Sequence, residues 1–155
     1  MQNSMYEVFT SEQMYLDGLT VAVDHFQNSQ ELNSVLTSID ILFIPLSMAM
    51  CVSSFLSLMV QKLDSSLFCD VICDVVHQYA TGPFDFYVDY IRNMPYQNCH
   101  IVPRVVEVLS KLEEHPCCNR LPLESFLCLP FQRISRLKIL MEVISTSGII
   151  ITLAG

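Results

Sequence analysis

The sequence predicts an all-α fold, a bundle of helices, and three observations carry that expectation. Apolar residues recur at the 3.6-residue helical period at both ends of the chain, over about Met5 to Gln27 and Pro122 to Ser145. No run of short alternating strands joined by hairpin turns occurs. Hydrophobic residues make up 52% and charged residues 15% of 155 residues, enough to bury the core of one domain and too apolar for intrinsic disorder.

The first helix is expected from Met5 to Gln27, with Ser4 and Glu7 spaced as a capping box. Met5, Val8, Tyr15, Leu16, Leu19, Val23 and Phe26 share one stripe, and Glu12 falls near its middle. A carboxylate on an apolar face loses hydration when buried and needs a partner. Two outcomes follow: Glu12 pairs with an internal arginine or reaches the bundle edge, or this face receives another protein.

A second helical region is expected over Ser29 to Leu67, broken at Pro45, and a third over Ser66 to Ala80. Thr81-Gly82-Pro83 then interrupts the chain. Phe84 to Arg92 reads as a helix with Phe84, Val88 and Ile91 on one side. Pro95 and Pro103 bracket an irregular piece, and Val105 to Glu114 forms a short helix stopped by Pro116. The last helix starts near Pro122, a residue suited to a first turn because it lacks an N–H. Its stripe is Leu123, Phe126, Leu127, Pro130, Ile134, Leu137, Met141 and Ile144, with a kink expected at Pro130. Gln132, Arg133 and Arg136 lie on its polar flank. That flank is either solvated or paired with the domain's own acids, or it recognises an acidic or carbonyl-rich partner. Residues 146–155 carry no charge and do not continue the stripe, so the domain is expected over 4–145 with a separate tail.

Composition also excludes function classes. Sixteen acidic residues against eight basic ones give a net charge of −8, which disfavours nucleic-acid binding. Ile41 to Val60 is a twenty-residue stretch without charge, the length of a membrane span. Pro45, four serines and the lack of flanking basic clusters argue instead for a buried helix. No secretory leader is visible, and the seven cysteines are odd in number and irregular in spacing. Reduced thiols in the cytoplasm are therefore expected. Cys69, Cys73 and His77 would share a helix face, and Cys117–Cys118 near His115 could complete a zinc site. Without a C-x-x-C knuckle, small core cysteines are the simpler reading, and neither metal nor cofactor is expected. Phosphate-binding glycine loops, a nucleophile elbow and an H-E-x-x-H pair are all lacking, so covalent catalysis has no support. Glu113 and Glu114 read as a solvated helix end.

Two segments nonetheless carry a recognisable pattern. LPLESFLCLPFQRISRLKILMEVI, Leu121 to Ile144, resembles the third conserved region of Dbl-homology domains, with its Pro-x-Gln-Arg core. YEVFTSEQMYLDGLTVAVDHF, Tyr6 to Phe26, resembles the first conserved region, including its T/S-E-x-x-Y core. Phe68 to Gln97 between them is similar to the ephexin subfamily. The resemblance implies an elongated Dbl-homology helical bundle of a Rho guanine-nucleotide exchange factor, lacking its last long helix and the pleckstrin-homology domain that follows. Such domains act on GTPase switch regions, displace magnesium and release GDP without covalent chemistry. The implied partner is a Rho-family GTPase, RhoA first, with Rac and Cdc42 as further candidates. By the same resemblance Glu12 contacts switch 1, Gln132 and Arg136 lie on the GTPase side, and Arg133 supports the fold. Glu12→Ala would then abolish exchange while leaving the helices intact. Ile39 to Leu58 departs from the family, which carries charged positions there.

Overall fold

The computed structural model describes residues 2–36, 46–65, 70–97 and 103–154. Every regular element among them is helical. Helix α1 runs Gln2–Thr20 and continues as a π-helical stretch, Val21–Gln27. The wider winding is closed by a bond from the Asn28 N–H to the Val23 carbonyl, 2.9 Å. Because α1 begins at Gln2, Ser4 lies inside the helix and not at the cap position expected for it. Then come α2 (Gln30–Val35), α3 (Leu46–Ser65), α4 (Asp70–Ala80), α5 (Phe86–Gln97), α6 (Pro103–Glu113) and α7 (Leu123–Ala154).

Helix α2 is started by Ser29, whose hydroxyl accepts from the Leu32 N–H at 3.3 Å, satisfying a donor that has no partner within the helix. The start of α7 is capped from a distance. Glu113, expected to be solvated, is partly buried, and its carboxylate accepts from the Leu123 N–H at 2.8 Å. Negative charge at a helix N-terminus also complements the peptide dipoles there. Two residues between these helices, Asn119 and Arg120, have φ of 50° and 63°. Asn tolerates that left-handed region better than Arg does.

The core forms where α1 packs along α7 and α3, α3 along α4, and α5 along α7. The stripe predicted for α1 is the buried one: Val8, Tyr15, Leu19, Val23 and Phe26 are interior and Leu16 is partly buried, while the Met5 side chain lies outside those described. On α7, Leu123, Phe126, Leu127, Leu137 and Ile144 are buried, with Leu140, while Ile134 and Met141 are partly covered. The helix passes through Pro130, which removes one backbone donor, and continues to Ala154 past the expected end at Ser145.

Helix α3 answers the membrane question for the residues it contains. Met48, Val52, Phe55, Leu56 and Met59 face inward, whereas Ser47, Ser53, Ser54, Ser57 and Val60 are exposed. The serines thus mark an outer face. Among the described residues no helix is long and apolar enough to cross a membrane. Ile41 to Pro45, the first part of the charge-free stretch, lies outside the described residues.

Helix α5 corrects two expectations. It continues through Pro95 to Gln97, so the irregular piece begins later than predicted. Its buried residues are Tyr87 and Tyr90, while Val88 is half exposed. Phe84 belongs to a preceding 3₁₀ turn, Pro83–Asp85. A 3₁₀ turn advances about 120° per residue against about 100° for an α-helix, so the phase read from Phe84 slips.

An aromatic cluster joins α3, α4 and α5. Phe55 meets Tyr79 and Phe84 edge-on at centroid distances of 4.9 and 5.3 Å, and Phe84 meets Tyr87 at 5.4 Å. These are the favourable edge-to-face geometries. Phe55 is fully buried at the centre, so Phe55→Ala removes a large packed volume. A loss of about 3–5 kcal/mol is expected in urea unfolding followed by circular dichroism; a loss below about 1 kcal/mol would show that the cluster is not central to the core.

Candidate functional site

The seam between α1 and α7 holds charged groups at two depths. The deeper layer is the pair expected from the misplaced carboxylate. Glu12 is 1% exposed and Arg133 is 5% exposed, and Arg133 Nη2 contacts Glu12 Oε2 directly. The guanidinium also donates from Nη1 to Ser11 Oγ at 2.8 Å and from Nη2 to the Val8 carbonyl at 3.4 Å. Burial pushes the Glu12 carboxyl above its ordinary range, and the neighbouring guanidinium pulls it part of the way back.

A tyrosine pair extends this interior polar patch. Tyr87 on α5 donates to the Tyr15 hydroxyl at 3.1 Å, and Tyr15 donates to Met48 Sδ at 3.5 Å. Burial raises both phenols far beyond neutral pH, so they act as hydrogen-bonding groups and not as acids. Tyr90 donates to the Leu127 carbonyl at 2.8 Å, which fixes α5 to the part of α7 just before Pro130.

The outer layer is a second ion pair. Arg136 Nη2 donates to Glu7 Oε1 at 2.6 Å, with the two side chains 60% and 46% exposed. Gln132 is exposed one helical turn before Arg136. Residues four apart share a helix face, so Gln132 and Arg136 present one surface. Ile139 and Val143 carry that face onward as exposed apolar side chains. The structure therefore brings Gln132 and Arg136 together at the surface and places Glu12 beneath them. Of the two outcomes open for Glu12, pairing with an internal arginine is the one observed.

The carboxylate that does sit at the surface beside Arg136 is Glu7, which spacing alone assigned to a cap. Its signal was present: Glu7 flanks the α1 stripe as Arg136 flanks the α7 stripe, an acid facing a base. Of the residues weighed for zinc, His115 and Cys117 come together, with His25 and not with Cys73 or His77. Cys69 lies outside the described residues, and Cys73 and His77 belong to no cluster of three potential ligands among the described residues.

This geometry changes the expected result of Glu12→Ala. Removing one partner of a buried ion pair strands the other charge, at a cost of about 3–5 kcal/mol. Glu12→Ala is therefore expected to unfold at markedly lower urea concentration. The double variant Glu12→Leu/Arg133→Met should recover most of that loss, because neither charge remains buried. Additive losses in the two positions would show that they do not interact.

Similarity to known proteins follows the same two helices. The family model described as the RhoGEF domain matches residues 4–147. Human Rho guanine nucleotide exchange factor 15 is 43% identical over 152 residues, covering 92% of this chain and 18% of that protein. Mouse Rho guanine nucleotide exchange factor 5 is 40% identical over 151 residues, covering 92% of this chain and 10% of that protein. Rat Ephexin-1 is 35% identical over 151 residues, covering 92% of this chain and 22% of that protein. The chain thus spans about a fifth or less of the length of these relatives. An all-helical bundle, the paired first and third conserved segments and a match over nearly the whole chain lead to one conclusion: the chain belongs to the RhoGEF, or Dbl-homology, family, with ephexin-like relatives.

Proposed function

We propose that the chain binds a Rho-family GTPase, RhoA first, with Rac and Cdc42 as further candidates, and promotes release of GDP. The supporting observation is that the RhoGEF match spans both segments whose helices join Glu7 to Arg136 at the surface. The docking surface is Gln132 and Arg136 on α7 with Glu7 on α1. Glu12 contributes from below by neutralising Arg133 and fixing the seam on which those residues stand. An exposed guanidinium with an adjacent carboxylate and amide offers both signs of hydrogen-bonding group to a mobile peptide segment. The exposed Ile139 and Val143 add apolar contact area along the same face.

Exchange of this kind is a matter of differential affinity. A protein that binds the nucleotide-free GTPase more tightly than the GDP-bound form must weaken GDP binding by the same factor. No bond is made or broken, so the chain needs positioned side chains and not a nucleophile. The reading places the chain in the cytoplasm, in keeping with its odd number of cysteines.

Release of fluorescent GDP from RhoA tests this. The chain is expected to accelerate release, and Arg136→Ala to reduce the acceleration by about tenfold, the equivalent of roughly 1.4 kcal/mol. The variant should keep its helix content, because an exposed ion pair contributes only about 0–1 kcal/mol to folding. Association of the folded chain with RhoA but no acceleration would make it a binding module without exchange activity. No association in any nucleotide state would overturn the proposal.

A further inference from the structure

At the far end of α1 from Glu7 lies a group of side chains that the GTPase reading does not use. His25, on the π-helical stretch, comes together with His115 and Cys117 of the α6–α7 connection, and one potential ligand atom from each lies within 4.8 Å of the others. The imidazole rings of His25 and His115 have centroids 4.8 Å apart. The neighbouring Cys118 thiol is fully buried and donates to the Leu112 carbonyl at 3.5 Å, so it lies outside this set. Eighteen residues of helix separate His25 from Glu7, roughly 27 Å at 1.5 Å per residue, so this cluster is distinct from the proposed docking surface.

The hydrogen bonds around it suit a metal. His25 Nε2 lies 2.8 Å from the Leu112 carbonyl, which can only accept, so Nε2 carries the proton and Nδ1 holds a lone pair. Metal-binding histidines commonly donate their other N–H to a carbonyl in this way. His115 Nδ1 accepts from the Cys117 backbone N–H at 3.3 Å, so it too carries a lone pair, and the Cys117 thiol 3.0 Å away donates to it. A tetrahedral zinc ion with bonds of about 2.0–2.1 Å to nitrogen and 2.3 Å to sulfur sets N···S near 3.6 Å and N···N near 3.3 Å. His115 Nδ1 and Cys117 Sγ, 3.0 Å apart, would separate by about half an ångström, and the His25 ligand atom, within 4.8 Å of both, would draw closer.

We infer that His25, His115 and Cys117 form a binding site for a soft, tetrahedral divalent cation, zinc foremost, with water as the fourth ligand. Imidazole and thiolate donors favour zinc over the oxygen-seeking magnesium and calcium. The ion would take the place of the proton shared by Cys117 and His115. It would also fasten the α6–α7 connection to the end of α1, joining parts of the chain about ninety residues apart.

Cobalt(II) serves as the probe, added to the metal-free 155-residue chain and followed by absorption. One equivalent is expected to give the intense visible bands of a tetrahedral ion with a thiolate-to-metal charge-transfer band, and zinc is expected to displace it. His115→Ala, at an exposed position, should weaken binding at least tenfold, and Cys117→Ser should remove the charge-transfer band. Cys51→Ser, outside the cluster, should leave both unchanged. Zinc should raise the thermal midpoint of the wild-type chain and not that of Cys117→Ser. Lack of a tetrahedral spectrum, or a spectrum that survives both His115→Ala and Cys117→Ser, would overturn the assignment.

Discussion

The ion pair between Glu12 and Arg133 is the constraint on which the α1–α7 seam depends. Two opposite charges sit where an apolar stripe would ordinarily close, and each is tolerable only because the other is there. Their attraction offsets a desolvation cost that neither could bear alone. This makes the pair a device of register more than of stability. The guanidinium reaches Glu12, Ser11 and the Val8 carbonyl at once, so a slide or rotation of α7 along α1 would strand a buried charge.

The surface pair inherits its position from the buried one. Arg136 follows Arg133 by three residues and Glu7 precedes Glu12 by five, so both layers lie along the same seam. Fixing the inner contact limits where the outer side chains can be. The tyrosines act in a similar way one element further out, joining α5 to α1 and to α7 through hydroxyl groups that remain protonated. A rigid support beneath exposed polar groups is what a recognition surface needs if its side chains are to meet a partner without reordering.

Much of this was legible from spacing. The stripes of α1 and α7 are long and strongly periodic, and most of the residues they marked are buried, with Leu16, Ile134 and Met141 partly so. The anomaly at Glu12 was visible because a carboxylate cannot lie on an apolar face without explanation. What spacing could not supply was the choice of partner more than a hundred residues later. A helical wheel records only where Cβ points, and the long arginine stem carries its charge from a flank to the interior. Helix α5 was misread for a different reason, since a short 3₁₀ turn shifts the phase of everything after it. Of the cluster of His25, His115 and Cys117, spacing marked His115 and Cys117 as possible ligands, and His25 was out of its reach. Local spacing suggested a face with Cys69, Cys73 and His77, whereas the π-helical stretch and the turn after α6 bring distant residues together.

The pairing of Glu7 with Arg136 has a kinetic consequence for any partner that docks there. Both side chains are already satisfied before the encounter, so the chain presents an occupied contact and not a bare positive charge. Added salt screens attraction to an acidic partner, which slows association. The same salt loosens the intramolecular pair and frees the guanidinium to engage. The two effects oppose each other, so the association rate should fall less steeply with ionic strength than the number of charges at the surface would suggest.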